Sequence, residues 1–150
     1  MAHSTITFRL YPGVRVGSGR AVGLLEGHPD LGGSVLFVLP ENERDYILAS
    51  MDTWVNGLNG PKRRFHGFEG SPCFVFKHVT KQHRFYGYLW HPQPNTNKAL
   101  QVCVITTYTK KKEWETDQAD LKHVLTWLSS PAAKPAIVAL FPDNPKGSSQ

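Results

Sequence analysis

Three β-prone runs in the second half of the chain constrain the fold more than any other feature. They occupy residues 73–79, 84–90 and 100–109 and are rich in Val, Phe, Tyr and Thr, which favour strands. The first two runs are separated by four residues, a connector short enough for a hairpin. The second and third are separated by HPQPNTNK, whose Pro and Asn residues suit a longer surface loop. The pattern predicts a three-stranded antiparallel unit.

Helical patterns lie on both sides of these runs. Residues 41–56 place apolar side chains on one helical stripe and acidic side chains in the first turns, and Gly57, Gly60 and Pro61 follow. A second helix is predicted over residues 117–128, with Thr116 as its N-cap. These elements together predict an α+β fold, in which helices pack on one face of a small, mainly antiparallel sheet.

The two ends of the chain are less regular. We predict short strands at residues 5–10 and 34–39, and turns or irregular structure in the glycine-containing residues 13–33. The tail contains Pro at both ends, and its residues 136–141 are expected to form an edge strand or to dock on the body. The length of 150 residues predicts a single domain. Its expected parts are an N-terminal extension (1–35), a core (40–128) and a tail (129–150).

The sequence also indicates a compartment. The only two cysteines, Cys73 and Cys103, lie in apolar runs, where a thiol is usually a small core residue. The first residues lack the pattern of a signal peptide, and no run approaches the roughly 18 apolar residues of a membrane span. We therefore expect a cytoplasmic protein that does not interact with membranes. The spacings of His78, His83 and His91 do not form a strong zinc motif, so no metal or cofactor is expected.

Charge is strongly segregated along the chain. Residues 61–112 carry ten Lys or Arg and a single acid, Glu69, whereas the remaining positions carry seven bases and eleven acids. Attraction to phosphate grows with the number of cations on one surface, so this segregation favours a nucleic-acid ligand. A solvated basic surface without any partner would have the same composition.

The alternation of side chains along the strands predicts which face binds a ligand. Phe85 and Leu89 fall on one side of the second run and are expected to form the core. Arg84, Tyr86 and Tyr88 fall on the other side, and we expect Tyr108 of the third run to extend that face. An arginine among aromatic rings on an open sheet is a platform for unstacked bases.

Several short motifs occur in this order of elements. They are the connector RRFHGF, the middle run HRFYGYL, and the segment TTYTKKKEWETDQADLKHV, in which a Lys-rich stretch precedes a helix. In this respect the chain resembles the RelE and HigB type of toxin, members of the RelE/ParE superfamily from type II toxin-antitoxin systems. The resemblance covers residues 40–128, so that the core is expected to be RelE-like.

The resemblance implies an activity. Toxins of this type cleave messenger RNA, often on the ribosome, by attack of the RNA's own 2′-OH on the adjacent phosphate, without a metal. It implies His66 as base, Arg84 as phosphate clamp and Tyr108 as the residue that orients or stacks on the base. His78 and His83 are weaker candidates. The residues expected to contact RNA are Arg63, Arg64, Lys77, Lys81, Tyr86, Tyr88, Lys110, Lys111 and Lys112.

The implied partners are messenger RNA and a cognate antitoxin protein, and the implied class is an endoribonuclease that inhibits translation. Other functions remain open at this point. One is a non-catalytic module that binds nucleic acid or an acidic protein surface, of phage or regulatory origin. Another is a ParE-like member of the same superfamily, directed at DNA gyrase.

Overall fold

The computed structural model describes residues 6–10, 19–27, 29, 31–91, 101–112, 117–133 and 135–137. Within these ranges, six strands form one sheet and three α-helices pack against it. In chain order the elements are β1 (Thr7–Leu10), β2 (Arg20–Glu26), α1 (Gly32–Leu36), α2 (Glu41–Val55), β3 (Phe65–Gly67), β4 (Cys73–His78), β5 (His83–Trp90), β6 (Gln101–Lys110) and α3 (Gln118–Leu128).

The sheet has the strand order β1-β2-β6-β5-β4-β3. All neighbouring strands are antiparallel except β2 and β6, which run parallel with Val22 opposite Cys103. The α+β class with a mainly antiparallel sheet is therefore confirmed. The three predicted runs correspond to β4, β5 and β6, and a short 3-10 turn over Val79–Lys81 joins the first two.

The helices lie on both faces of the sheet, so the prediction of one covered face was wrong. On one face α1 and α2 bury Leu36, Ile47 and Met51 against apolar side chains of the strands. On the other face α3 buries Val124 in the cluster that contains Tyr86 and Tyr88. No open face of the central strands remains among the described residues.

The glycine-containing segment contributes an interior strand, which contradicts the prediction of irregular structure for residues 20–26. The run RAVGLLE is almost continuously apolar, as expected for a strand that is covered on both faces. A Cβ on Gly23 would lie 1.8 Å from the ring of Phe8, so the absence of a side chain lets that ring lie across β2. Gly13 and Gly17 lie outside the described residues.

The strand predicted for residues 34–39 was also wrong, because this segment contains the end of α1. A Cβ on Gly33 would lie 2.6 Å from the carbonyl oxygen of Leu25, so only glycine lets the helix backbone approach β2 this closely. Close packing against the sheet thus overrides the strand propensity of Val35, Leu36 and Phe37.

The two longer helices agree with the sequence prediction. Helix α2 ends at Val55, and Gly57 follows with a φ of 76°, in the left-handed region that glycine favours. Asp117 is the N-cap residue of α3, whereas Thr116 lies outside the described residues. In the tail, residues 135–137 are helical and Ile137 docks in the α3-side core. Residues 138–141, where an edge strand was the alternative, are outside the described residues.

A β-bulge in β6 decides the direction of the last side chains of that strand. Tyr86 pairs with Thr107, but the next residue, Gly87, pairs with Ile105, so Thr106 is an extra residue in β6. An extra residue reverses the alternation of the side chains that follow it. As a result Tyr108 lies on the α2 side against Phe85, and not on the same face as Arg84 as predicted.

Among the described residues, none of the helices has the length and apolar character needed to cross a membrane.

Candidate functional site

Arg84 is buried beneath the start of α3, with 4 % of its surface exposed. Its guanidinium donates to Asp117 Oδ1 at 2.7 Å, to the hydroxyl of Tyr86 at 3.3 Å and to the carbonyl oxygen of Lys112. The hydroxyl of Tyr86 in turn donates to Asp117. Burial and the hydrogen bond to Asp117 raise the pKa of Tyr86, so its hydroxyl stays protonated and acts as a donor.

This network changes the interpretation of the predicted platform. The guanidinium of Arg84 is already paired with a carboxylate, and the rings of Tyr86 and Tyr88 are buried in the α3-side core. The prediction of an exposed aromatic face was therefore wrong. The assignment of Arg84 to phosphate binding and of the two tyrosines to base stacking rested on that face, and it loses its structural basis.

A second polar network lies on the opposite face, between the first turn of α2 and the ends of β5 and β6. His83, which is only 3 % exposed, connects two partners. Its Nε2 lies 2.6 Å from Oε1 of Glu43, and its Nδ1 lies 2.7 Å from the hydroxyl of Tyr108. We call this hydrogen-bonded chain the Glu43–His83–Tyr108 relay.

The direction of the hydrogen bonds in the relay follows from the chemistry of its ends. An ionised carboxylate only accepts, so Nε2 of His83 donates to Glu43. When the imidazole is neutral, its Nδ1 accepts from the Tyr108 hydroxyl, whose oxygen keeps its lone pairs for another partner. The hydrogen bond with His83 holds the pKa of Glu43 below its ordinary value, whereas burial and Glu43 raise the pKa of Tyr108. Both shifts favour an ionised Glu43 and a protonated Tyr108.

His66 lies apart from both networks. It is on the edge strand β3, opposite Val75, and its Nδ1 donates to the carbonyl oxygen of Gly67 at 2.8 Å. Burial lowers the pKa of its imidazole. Strands β4 and β5 separate it from Tyr108, which also lies on the other face. The structure therefore does not bring His66, Arg84 and Tyr108 into one site, and the catalytic role of His66 stays a prediction.

The cations predicted to contact RNA differ in their surroundings. Arg63, Lys81, Lys110 and Lys112 are exposed. Arg64 is half-buried over the ring of Tyr46 and donates to Ser50. Lys111 forms an ion pair with Asp120 of α3, and Lys77 is half-buried on β4. Lys110 pairs across the sheet with His83, which places an exposed cation next to the relay.

Tyr108 also lines a cavity of about 400 Å³ at the end of β6. Strand β2 pairs with β6 only as far as Ile105, and beyond it Thr107 forms an isolated bridge with Leu31. The cavity lies between the end of β6, α1 and α3. The residues that line the cavity are Pro29, Val35, Thr107, Tyr108, Thr109, Asp120, His123 and Trp127. This volume falls within the range of small-ligand sites.

Two members of this region could not be identified from the sequence. Glu43 was interpreted only as an acidic residue in the first turn of a helix, and it lies 40 residues from His83. Asp120 gave no signal beyond its place in a predicted helix. Within the described ranges, no group of three or more His, Cys, Asp or Glu side chains is arranged to hold a metal ion.

The structure thus defines an α+β protein with helices on both faces of a six-stranded sheet and a Tyr–His–Glu relay beside a cavity. Comparisons with protein-family models, with curated proteins and with solved structures found no match to this chain.

Proposed function

We propose that this protein is an endoribonuclease that cleaves RNA by attack of a 2′-OH on the adjacent phosphate. The observation that carries the proposal is the Glu43–His83–Tyr108 relay, whose three members are connected by hydrogen bonds of 2.6 and 2.7 Å. A carboxylate, an imidazole and a hydroxyl in series are an arrangement that moves a proton to and from a substrate.

The relay can supply both proton transfers of the reaction. The 2′-OH gives its proton to the Tyr108 oxygen while the Tyr108 proton moves to Nδ1 of His83. The 2′-oxygen then forms a bond to phosphorus, and the bond from phosphorus to the 5′-oxygen breaks. Return of the proton through Tyr108 to the leaving 5′-oxygen gives a 2′,3′-cyclic phosphate and a 5′-OH. Glu43 stabilises the imidazolium that forms in between.

The surrounding charge supports an anionic substrate. Lys110 pairs with His83 across β5 and β6, and Lys81 lies on the turn before β5, close enough to Glu43 to lower its pKa. Both lysines are exposed, so their ammonium groups are available to bind the phosphates that flank the scissile bond. Arg63 and Lys112 extend the exposed basic surface.

The biological setting belongs to the same proposal. The order of α2, a basic connector, the antiparallel strands β4 to β6 and α3 is the order on which the RelE and HigB resemblance rests. We propose messenger RNA, with or without the ribosome, as the substrate, an antitoxin protein as the partner, and the cytoplasm as the compartment.

The experiment is a cleavage assay with purified protein and end-labelled RNA, in the presence and absence of ribosomes. We expect Tyr108→Phe and His83→Gln to lower the cleavage rate by about 100-fold or more, the usual contribution of general acid–base catalysis. Tyr46→Phe is the matched control, because it removes the same hydroxyl from a ring that packs against Arg64. It should cleave at the wild-type rate.

The chemistry of the products provides a second test. A substrate with a 2′-deoxy sugar at the cleavage position should resist cleavage, and the natural substrate should yield a 2′,3′-cyclic phosphate. Full activity of both relay variants would refute the role of the relay. No cleavage by the wild-type protein, with or without ribosomes, would refute the endoribonuclease proposal.

One observation favours a second candidate, a nucleic-acid-binding module without catalysis. The three residues that the resemblance implies for catalysis are divided between two faces and an edge of the sheet. A binding module would retain its affinity for RNA in the Tyr108→Phe variant, and it would show no cleavage in any sample. A gyrase-directed protein would inhibit DNA supercoiling in an assay that contains no RNA.

A further inference from the structure

His78 lies beside the Glu43–His83–Tyr108 relay without belonging to it. It is the last residue of β4 and pairs with His83, the first residue of β5, so the two side chains share one face of the sheet. The centres of their rings are 6.0 Å apart, and the rings are nearly perpendicular. The ring of His78 also packs 4.1 Å from the ring of Tyr46 on α2, a contact that Tyr46→Phe retains. Helix α2 thus holds His78 next to the relay.

The half-buried imidazole of His78 is poorly placed to carry a positive charge. Its Nδ1 is buried and has no hydrogen-bond partner in the part of the chain that the structure describes. On a neutral ring Nδ1 can remain an unprotonated acceptor, whereas on a charged ring it must carry a proton and become a donor. A buried donor without an acceptor is costly, and more so on a charged group. The contact of the ring with its own backbone offsets little of this cost.

Cations outnumber carboxylates around His78. The charged and titratable groups near it are Glu43 and Tyr46 on α2, Arg64 over the ring of Tyr46, Lys81 on the 3-10 turn, and His83 and Lys110 in the same row across the sheet. Burial lowers the pKa of His78, and the charges of His83 and Lys81 lower it further. Glu43 acts in the opposite direction, but its carboxylate already accepts from His83. His78 is therefore uncharged at neutral pH.

We propose that His78 is a positioning residue that stays uncharged, so that His83 can accept the proton that leaves Tyr108. The inference rests on the proposed function, since His83 becomes an imidazolium only while the relay holds that proton. Glu43, 2.6 Å from Nε2 of His83, then stabilises the new charge. An uncharged neighbour leaves this stabilisation intact, whereas a positive charge at position 78 opposes it.

The separation of the two rings determines the size of this effect. Two unit charges about 6 Å apart, at an effective dielectric constant of about 20, disfavour each other by about 100-fold in an equilibrium constant. Glu43 and the surrounding water screen part of the repulsion. We therefore expect a permanent positive charge at position 78 to slow proton transfer to His83 by about tenfold.

The first test compares the steady-state kinetics of His78→Arg and His78→Gln in the RNA cleavage assay. Arg is always charged, and its planar group can stack on the ring of Tyr46 as the imidazole does. Gln is neutral. The kcat of His78→Arg should be about tenfold lower than that of His78→Gln. Its KM should be no higher, because an added cation does not weaken the binding of a polyanion.

The matched control is His91→Arg, which adds the same charge at an exposed position just after the other end of β5. It should retain the wild-type kcat. Equal kcat values for His78→Arg and His78→Gln would show that charge at position 78 does not act on the relay, and they would overturn the inference. A loss in His78→Arg that appears only as a higher KM would overturn it as well.

The second test measures the titration of His78 by NMR in the full chain without RNA, and it stands even if His78→Arg does not fold. The pKa of His78 should lie below 6.5 in the wild-type protein and should rise in His83→Gln, because the charge of His83 contributes to lowering it. His123→Gln is the control, since α3 packs on the other face of the sheet, and it should leave the pKa of His78 unchanged. An unchanged pKa of His78 in His83→Gln would contradict the coupling of the two rings.

The two tests separate this inference from the proposed function. Cleavage by the wild-type protein together with equal kcat values for His78→Arg and His78→Gln would refute the role of His78 and leave the endoribonuclease intact. Coupled titration of the two histidines without any RNA cleavage would refute the endoribonuclease and leave the coupling as a property of the fold.

Discussion

Replacement of Asp117 by Ala should destabilise the protein strongly, because it removes the carboxylate that pairs with the buried guanidinium of Arg84. Breaking a buried ion pair by removal of one partner costs about 3–5 kcal/mol. Asp117 keeps 28 % of its side chain exposed, so water can partly replace it and the lower limit of this range applies. We therefore expect the free energy of unfolding to fall by about 3 kcal/mol. For a chain of this length, that corresponds to a decrease in Tm of about 6–12 °C.

Two other terms contribute little to this estimate. Asp117 is the N-cap residue of α3, but its side chain makes no capping hydrogen bond, so the substitution removes no cap. The hydroxyl of Tyr86 loses its acceptor, which is already included in the cost of breaking the network. The measurement is urea denaturation followed by circular dichroism, with Asp45→Ala as the control. Asp45 is 61 % exposed and 3.9 Å from Arg44, and its loss should change the free energy of unfolding by less than about 0.5 kcal/mol.

A double-mutant cycle identifies the source of the loss. In an Arg84→Met background there is no buried charge to leave unpaired, so Asp117→Ala should cost only about 1 kcal/mol, the cost of the orphaned Tyr86 hydroxyl. The coupling between the two positions should then be about 2 kcal/mol. A loss below about 1 kcal/mol in the wild-type background, or no coupling, would refute the argument. The Arg84→Ala variant is for the same reason unsuitable as a test of catalysis, because loss of activity would follow from loss of the fold.

The remaining predictions concern the bulge and the histidines. Gly87→Ala should lower the free energy of unfolding, measured by urea denaturation, by about 3 kcal/mol, because its Cβ would lie 2.1 Å from the carbonyl oxygen of Val104. Gly67→Ala is the control. The nearest atom to a Cβ on Gly67 is at an ordinary 3.5 Å, so this substitution should be tolerated. Equal losses of stability in the two glycine variants would contradict this prediction. A further prediction concerns the dependence of stability on pH. Burial holds the pKa of both His66 and His78 below the ordinary value of 6.5 in the folded chain, so the unfolded chain binds more protons as the pH falls. The free energy of unfolding should therefore decrease between about pH 7 and pH 5. The slope should be smaller in His78→Gln, and an unchanged slope in the His66→Gln/His78→Gln double variant would exclude this cause.

Local periodicity explains which parts of the fold could be predicted from the sequence. The stripe that contains Ile47, Met51 and Trp54 buries its side chains as a helix against the sheet, and the β-prone runs form β4, β5 and β6. Residues 34–36 were predicted as a strand from their β-prone side chains, whereas residues 20–26 and 32–33 were predicted to be irregular because their glycines resemble turn residues. Their actual role, at Gly23 and Gly33, is to allow another part of the chain to approach closely, and the atoms approached belong to Phe8 and Leu25. Such contacts have no signature in a local window.

The errors at the candidate site have a common physical origin in pairings between distant residues. Counting charges identified the basic region, but it could not show that Arg84 is neutralised by Asp117, which is 33 residues away. Likewise, alternation along β6 was correct up to Ile105, and a single extra residue, Thr106, then moved Tyr108 from the predicted face to the opposite one. That displacement separates Tyr108 from Arg84 and joins it to His83 and Glu43. Because of the bulge, Tyr108 belongs to a relay on the α2 side and not to the phosphate clamp that was expected on the opposite face with Arg84. Thr109, the next residue, donates to Asp120 beside the cavity.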